Sequence, residues 1–222
     1  MKIIYDEIGS FAANGLAIVR LVESKAERFG FINISRKVVI PIIYESVCLF
    51  DSLGFAKVKK NNKWGFVNLL GEEIIPTIYD STEFFRDGLV KVCQNSKWGF
   101  VNIQGQIIVS LKYDWIWEFS EGLAIVRNGD RHGAINQKGE EIVPLIYDFM
   151  KPFSNGLSAT KKDGKWGYVN KCGIMQIPTI YDDAWNFKKG STQVRFGSNF
   201  IFIDLEAYIF EDINTTAIFT GC

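Results

Sequence analysis

Any chemistry in this chain has few side chains to start from. His132 is the single histidine among 222 residues, and cysteines stand only at 48, 93, 172 and 222. A Ser-His-Asp triad or a histidine metal site would rest wholly on His132, and neither G-x-S-x-G nor H-E-x-x-H accompanies it. His132 occupies a position that neighbouring segments give to Trp or Phe, so it reads as an aromatic substitute rather than a base. The cysteines follow no metal-ligand spacing and fall at different phases of the repeat below, which predicts four reduced, structurally ordinary thiols. Catalysis is not expected, and neither is a metal or cofactor.

The acids are more regular. Asp6, Glu45, Asp80, Asp114, Asp148 and Asp182 each follow a tyrosine: Tyr5, Tyr44, Tyr79, Tyr113, Tyr147 and Tyr181. A calcium ion wants about six to eight oxygens, and a single carboxylate from each copy supplies too few. The expected role is to accept backbone N–H bonds in the following turn. A cation also recurs, as Arg28, Lys63, Lys97, Arg131 and Lys165. One cation and one acid per copy suggest a pair that fixes register, since exposed pairs contribute little to stability.

Tryptophan falls into two groups. Trp64, Trp98 and Trp166 precede Gly65, Gly99 and Gly167, and His132 precedes Gly133 in the same frame. These rings are expected to pack between copies, with the glycine permitting close backbone approach. Trp115, Trp117 and Trp185 lie in a connection where other copies carry Glu83 or Lys151. Two readings stand for them: they fill local gaps in the core, or they form an aromatic contact surface, since Trp is favoured at interface hot spots. Basic clusters at 57–60, 160–162 and 187–190 read as solvated turns. Lys plus Arg and Asp plus Glu both total 25, so the whole chain exerts no net pull on nucleic acid or an anionic membrane.

The elements that position these residues come from one repeated unit. The motif glycines Gly30, Gly65, Gly99, Gly133 and Gly167 are spaced 35, 34, 34 and 34 apart. A period held over the whole length signals a repeat architecture. Each unit has three strand-like segments. In the first, Ala17/Val19, Ala56/Val58, Val90/Val92 and Ala124/Val126 alternate with Ile18, Lys57, Lys91 and Ile125, a period of two with one buried face and one that varies freely. The second is "KWGFVN". The third, "EIIPTIYD", places Pro76, Pro144 and Pro178 where a ladder bond must be missing, at an edge or a bulge. Asn68, Asn102, Asn136 and Asn170 precede Gly71, Gly105, Gly139 and Gly173 by three residues, a hairpin turn with a bulge glycine. Nothing shows helical spacing over three turns.

Assembled from its copies, the unit "FSEGLAIVR … KWGFVN … GEEIIPTIYD" resembles the WG (also called KWG) repeat family of bacterial proteins. Copies one, four and six replace the Trp by Phe29, His132 and Phe200, and copy six carries Ile201 and Ala207 in place of its glycines. The resemblance implies a β-rich repeat array used as a binding or accessory module, with no common catalytic residue. The fold expected is all-β: six tandem three-stranded repeats over 1–204 and a degenerate C-terminal cap over 205–222. Unlike ends favour an open twisted array, with a closed six-bladed propeller as the alternative.

The expected function is a non-catalytic scaffold that binds another protein, not nucleic acid and not a membrane. The alternative is a carbohydrate or cell-wall binder, stacking sugar rings on repeated aromatics. The opening residues lack the pattern of a signal peptide and no segment reaches the ~20 apolar residues of a spanning helix, so a cytoplasmic location is expected.

Overall fold

The computed structural model describes residues 5–23 and 26–204, in which the strands gather into six antiparallel sheets without a helix. Sheet two shows the plan: Ser46–Val47, Phe55–Lys60, Lys63–Asn68 and Glu73–Tyr79 pair in chain order. Sheets one, three, four and five repeat it, with second strands Leu16–Glu23, Leu89–Gln94, Leu123–Asn128 and Leu157–Lys162. Sheet six comprises Asp183–Ala184, Ser191–Phe196 and Asn199–Asp204 among the described residues. The expected cap over 205–222 lies outside them. The chain divides into two compact units, 1–111 and 112–222. The first holds sheets one, two and most of three; the second holds sheets four, five and six.

Three strands per repeat is corrected to four. The added strand is two residues long and directly follows the Tyr-acid pair, as in Ser81–Thr82, Trp115–Ile116 and Phe149–Met150. Two residues cannot display a period, so pattern reading passes over them.

The second strands of sheets one to four bury the expected face completely: Ala17, Val19, Ala56, Val58, Val90, Val92, Ala124 and Val126 are inaccessible. The opposite face does not vary freely, a second correction. Lys91 and Ile125 on it are only 4% and 2% exposed: Glu83 and the Trp98 ring of its own sheet meet the Lys91 ammonium, and Ile125 packs with Met150 and Val169 of sheet five. The core therefore lies between successive sheets. One cluster joins Phe31, Ile40 and Tyr44 of sheet one to Ala56, Val58 and Val67 of sheet two. Another joins Phe66, Ile75 and Tyr79 to Val90, Val92 and Val101. In the second unit, Ala134, Val143 and Tyr147 meet Met150, Phe153 and Val169, and Tyr168, Ile177 and Tyr181 meet Ala184, Phe187, Val194 and Ile203.

The Asn-x-x-Gly turn forms as read. Asn68 Oδ1 accepts from the N–H groups of Leu70 and Glu72 at 3.0 and 2.9 Å, and Gly71 takes φ +83°. Gly71 has a second duty, since a Cβ there would stand 2.8 Å from the Val39 carbonyl oxygen of the preceding sheet.

The prolines sit at bulges. Trp64 pairs with Tyr79 and Phe66 with Ile75, so Gly65 alone faces Pro76, Thr77 and Ile78. The displaced backbone leans over the glycine: a Cβ on Gly65 would lie 2.5 Å from the Ile75 carbonyl oxygen. Gly30 and Gly133 meet Ile40 and Val143 in the same way, each at 2.6 Å. The Trp-Gly motif is thus a glycine requirement set inside one sheet.

The acids join neighbouring units. Asp182 accepts from Lys165 Nζ at 2.6 Å and from the Gly197 N–H at 2.6 Å. Asp148 pairs with Arg131 at 2.5 Å and accepts from Gly164, while Asp80 pairs with Lys63 and accepts from Asn95 at 2.7 Å. Each of these three acids spans the third strand before it and the hairpin turn of the following unit, rather than the turn next to it. Lys63 beside Asp80 and Lys165 beside Asp182 hold those carboxyls below the usual carboxylate range. Their share of stability is therefore present at neutral pH and is lost as pH falls through those lowered values.

Two outcomes follow for denaturation experiments. Gly65→Ala should lower unfolding stability in urea by about 1–3 kcal/mol, the usual cost of overpacking; an unchanged midpoint would contradict the close approach. Lys165→Glu should lower the melting temperature and adding Asp182→Lys should recover part of that loss, whereas a double variant no better than the single one would break the inferred pair.

Candidate functional site

The three unit-specific tryptophans all belong to the second unit and join one row of rings. Trp115, on the short strand of sheet four, stands 6.2 Å from Trp117 between centroids. Trp117 lies 5.7 Å from His132, His132 lies 5.1 Å from Phe149, and Phe149 lies 6.0 Å from Trp166. Lys151 carries the row onward. Its ammonium lies 4.8 Å from the Trp166 ring and 5.9 Å from Trp185, and donates to the Ala184 carbonyl at 2.6 Å. Trp185 then stands 6.1 Å from Phe200.

The row is buried along one side and open along the other. His132 and Trp166 are 6% and 8% exposed, whereas Trp115, Phe149 and Trp185 are 36%, 39% and 41% exposed. The alternation comes from the short strands. In Trp115–Ile116 and Phe149–Met150 the second side chain points into the core and the first points out. Trp117 packs partly buried against the core of sheets four and five.

Sequence reasoning found Trp115, Trp117 and Trp185 but not the members that link them. Phe149 could have been found, since it follows Tyr147 by the two residues that separate Trp115 from Tyr113. The part played by Lys151 depends on reaching from sheet five to sheet six, which no linear pattern displays.

The motif tryptophans sit differently from expectation. Trp64 and Trp98 are half-buried at the rim of their sheets, and only Trp166 is buried. Lys57 covers Trp64 at 4.3 Å from the ring centroid, and burial pushes that lysine below its ordinary value. The rings that fill the space between sheets are two residues later: Phe66 packs against sheet three and Tyr168 against sheet six, and both are 0% exposed. Tyr79, Tyr113, Tyr147 and Tyr181 are buried as well, and Asp114 accepts from the Gly129 N–H at 2.7 Å.

His132 is buried among aromatic rings. Its Nδ1 is buried without a hydrogen-bond partner, and burial, helped by Arg127, pushes the imidazole below its ordinary value. Among the described residues no group of three His, Cys, Asp or Glu could hold a metal ion. Cys48 and Cys93 are free thiols, but Cys172 is disulfide-bonded, which corrects the expectation of four reduced thiols. Cys222 lies outside the described residues.

A cavity of about 500 Å³ opens beside Trp185, with Lys151, Lys188, Gln193, Thr192 and Phe202 among its walls. The Trp185 carbonyl accepts from the Tyr168 hydroxyl at 2.7 Å and from Thr192 at 2.9 Å. Burial pushes the Tyr168 phenol up to about 12, which keeps it a donor at neutral pH. The arrangement sets rigid aromatic edges beside cations.

No curated protein matches the chain. Among solved structures it is similar to Kluyveromyces lactis Hsv2p, at 12% identity over 90% of this chain and 75% of that one, with a TM-score of 0.40. It is also similar to a eukaryotic initiation factor, at 11% identity over 85% of this chain and 61% of that one, with a TM-score of 0.45. Neither protein's activity transfers at these levels. The model of the WG containing repeat matches residues 2–23, 29–64, 64–98, 98–131, 133–166 and 166–200. Six matches in succession, five of them carrying the motif glycine that a bulged fourth strand needs (Gly30, Gly65, Gly99, Gly133 and Gly167), make this chain a member of the WG-repeat family.

Proposed function

We propose that the chain is a non-catalytic repeat scaffold that binds another protein along the aromatic ribbon of sheets four to six. The observation that carries this reading is the set of half-exposed rings Trp115, Phe149 and Trp185, each held by packing on its inner side. Rings fixed in this way lose little freedom when a partner arrives, so more of their contact energy appears as affinity.

The tilts of the rings favour protein over carbohydrate. Successive interplanar angles are 81°, 46°, 52° and 69° from Trp115 to Trp166. Sugar polymers stack on parallel platforms, and these rings present edges at changing angles. A folded protein surface, with side chains of varied shape, fits such a row better. The balanced charge speaks against nucleic acid as the partner. With this reading go the absence of catalysis and of a cofactor, a cytoplasmic location away from membranes, and an open array of repeats.

Affinity capture from the native lysate, followed by mass spectrometry, tests the ribbon with wild type and a Trp115→Ala, Trp117→Ala, Trp185→Ala variant. A specific protein retained by wild type should be lost from the variant, with affinity reduced about tenfold or more, as removal of hot-spot aromatics does. Because Trp117 is partly buried, the variant's melting curve must first show a folded chain. Identical captured proteins would remove the ribbon from the reading, and a glycan that quenches Trp fluorescence would transfer it to carbohydrate.

A further inference from the structure

Successive sheets interlock through a pair of rings. Phe31 stands 5.0 Å from Phe50, Phe66 4.9 Å from Phe85, and Tyr168 4.9 Å from Phe187. The first ring of each pair comes from a third strand. The second comes from the connection that leads into the next unit's positive-φ glycine, at Gly54, Gly88 and Gly190. Phe31, Phe66, Tyr168 and Phe187 are no more than 2% exposed.

Both halves of this contact recur once more without a ring partner among the described residues. Phe202 holds on sheet six the position of Tyr168 on sheet five: Tyr168 pairs across its sheet with Ala159, and Phe202 with Gln193. Yet Phe202 is 75% exposed. Phe11 holds the position of Phe50, four residues ahead of the positive-φ Gly15 as Phe50 is of Gly54. It is 44% exposed. The cavity described above lies against the Gln193–Phe202 pair, where Phe187 sits against Ala159 and Tyr168 one unit earlier.

We propose that copies of this chain associate head to tail, the Phe11 loop of one copy seating in the sheet-six cavity against Phe202 of the next. This goes beyond partner binding on the ribbon and concerns a different pair of surfaces. The occupant is a second copy because the contact is the one the repeat already makes between its own sheets. The surrounding polar groups fit as well. Ser120 and Ser154 donate to the carbonyls of Phe153 and Phe187, each at 2.8 Å. Lys188 takes the corresponding place on sheet six and lines the cavity, so its ammonium is placed to donate to the Phe11 carbonyl. The two surfaces differ, so the contact is heterologous and each copy carries one of each.

Sedimentation velocity and light scattering over a range of concentrations test this with wild type, Phe11→Asp and Phe202→Asp. Wild type should show a mass that rises with concentration above the 25.2 kDa of one chain. Each variant alone should remain monomeric, with an unchanged circular dichroism spectrum. An equimolar mixture of the two should form a complex of two chains and nothing larger, because one variant keeps the loop and the other keeps the cavity. A wild type that is monomeric at every concentration overturns the proposal. So does association in either single variant, or a mixture that forms no complex.

Discussion

The structure depends on burial between successive sheets. A single unit of about 34 residues is too small to enclose apolar side chains within itself, because the fraction of surface buried falls steeply in short chains. Its sheet is only one layer thick, so every inward side chain needs a neighbouring sheet. Ala56, Val58 and Val67 are inaccessible because sheet one covers them, and Phe66 and Ile75 because sheet three does. Even Lys91 is drawn under cover, where Glu83 meets its ammonium at 2.5 Å.

That constraint explains which letters recur. Gly65 recurs because the bulged fourth strand leans over it, and Gly71 because the preceding sheet's Val39 carbonyl lies against it. The acids recur because a carboxylate between two units can accept from the hairpin of one and pair with the cation of the other. These are geometric demands of stacking, and none is a demand of chemistry.

The legibility of the sequence followed from the same cause. Turn glycines, the Asn that bonds them and the alternating Ala/Val pairs announce themselves, since local backbone geometry fixes their types. Two features were hidden because they arise between units. The short strand beginning at Trp115 has no period, and the burial of Ile125 depends on sheet five. The motif Trp drew attention by its rarity, yet the ring that fills the gap is the commoner Phe two residues on. Trp115, Trp117 and Trp185 were visible as departures from the repeat. Phe149 and Lys151 were not, because each is an ordinary residue made part of a row by what lies across from it.

The short strand also explains why an aromatic row can form here without disturbing the stack. Its second residue faces inward and is held to apolar or small types: Thr82, Ile116, Met150 and Ala184 are all 4% exposed or less. Its first residue faces outward, and the copies use Ser46, Ser81, Trp115, Phe149 and Asp183. Substitution at the outward position leaves the inter-sheet core untouched, so it is free to change while its neighbour is not. A row of such positions on consecutive sheets is a surface whose composition stability does not dictate. In this chain the outward positions of sheets four and five are aromatic, and Trp185, two residues beyond the outward Asp183 of sheet six, continues the row across Lys151. The departures from the repeat thus gather where folding imposes the weakest requirement, which is where selection for a partner can act.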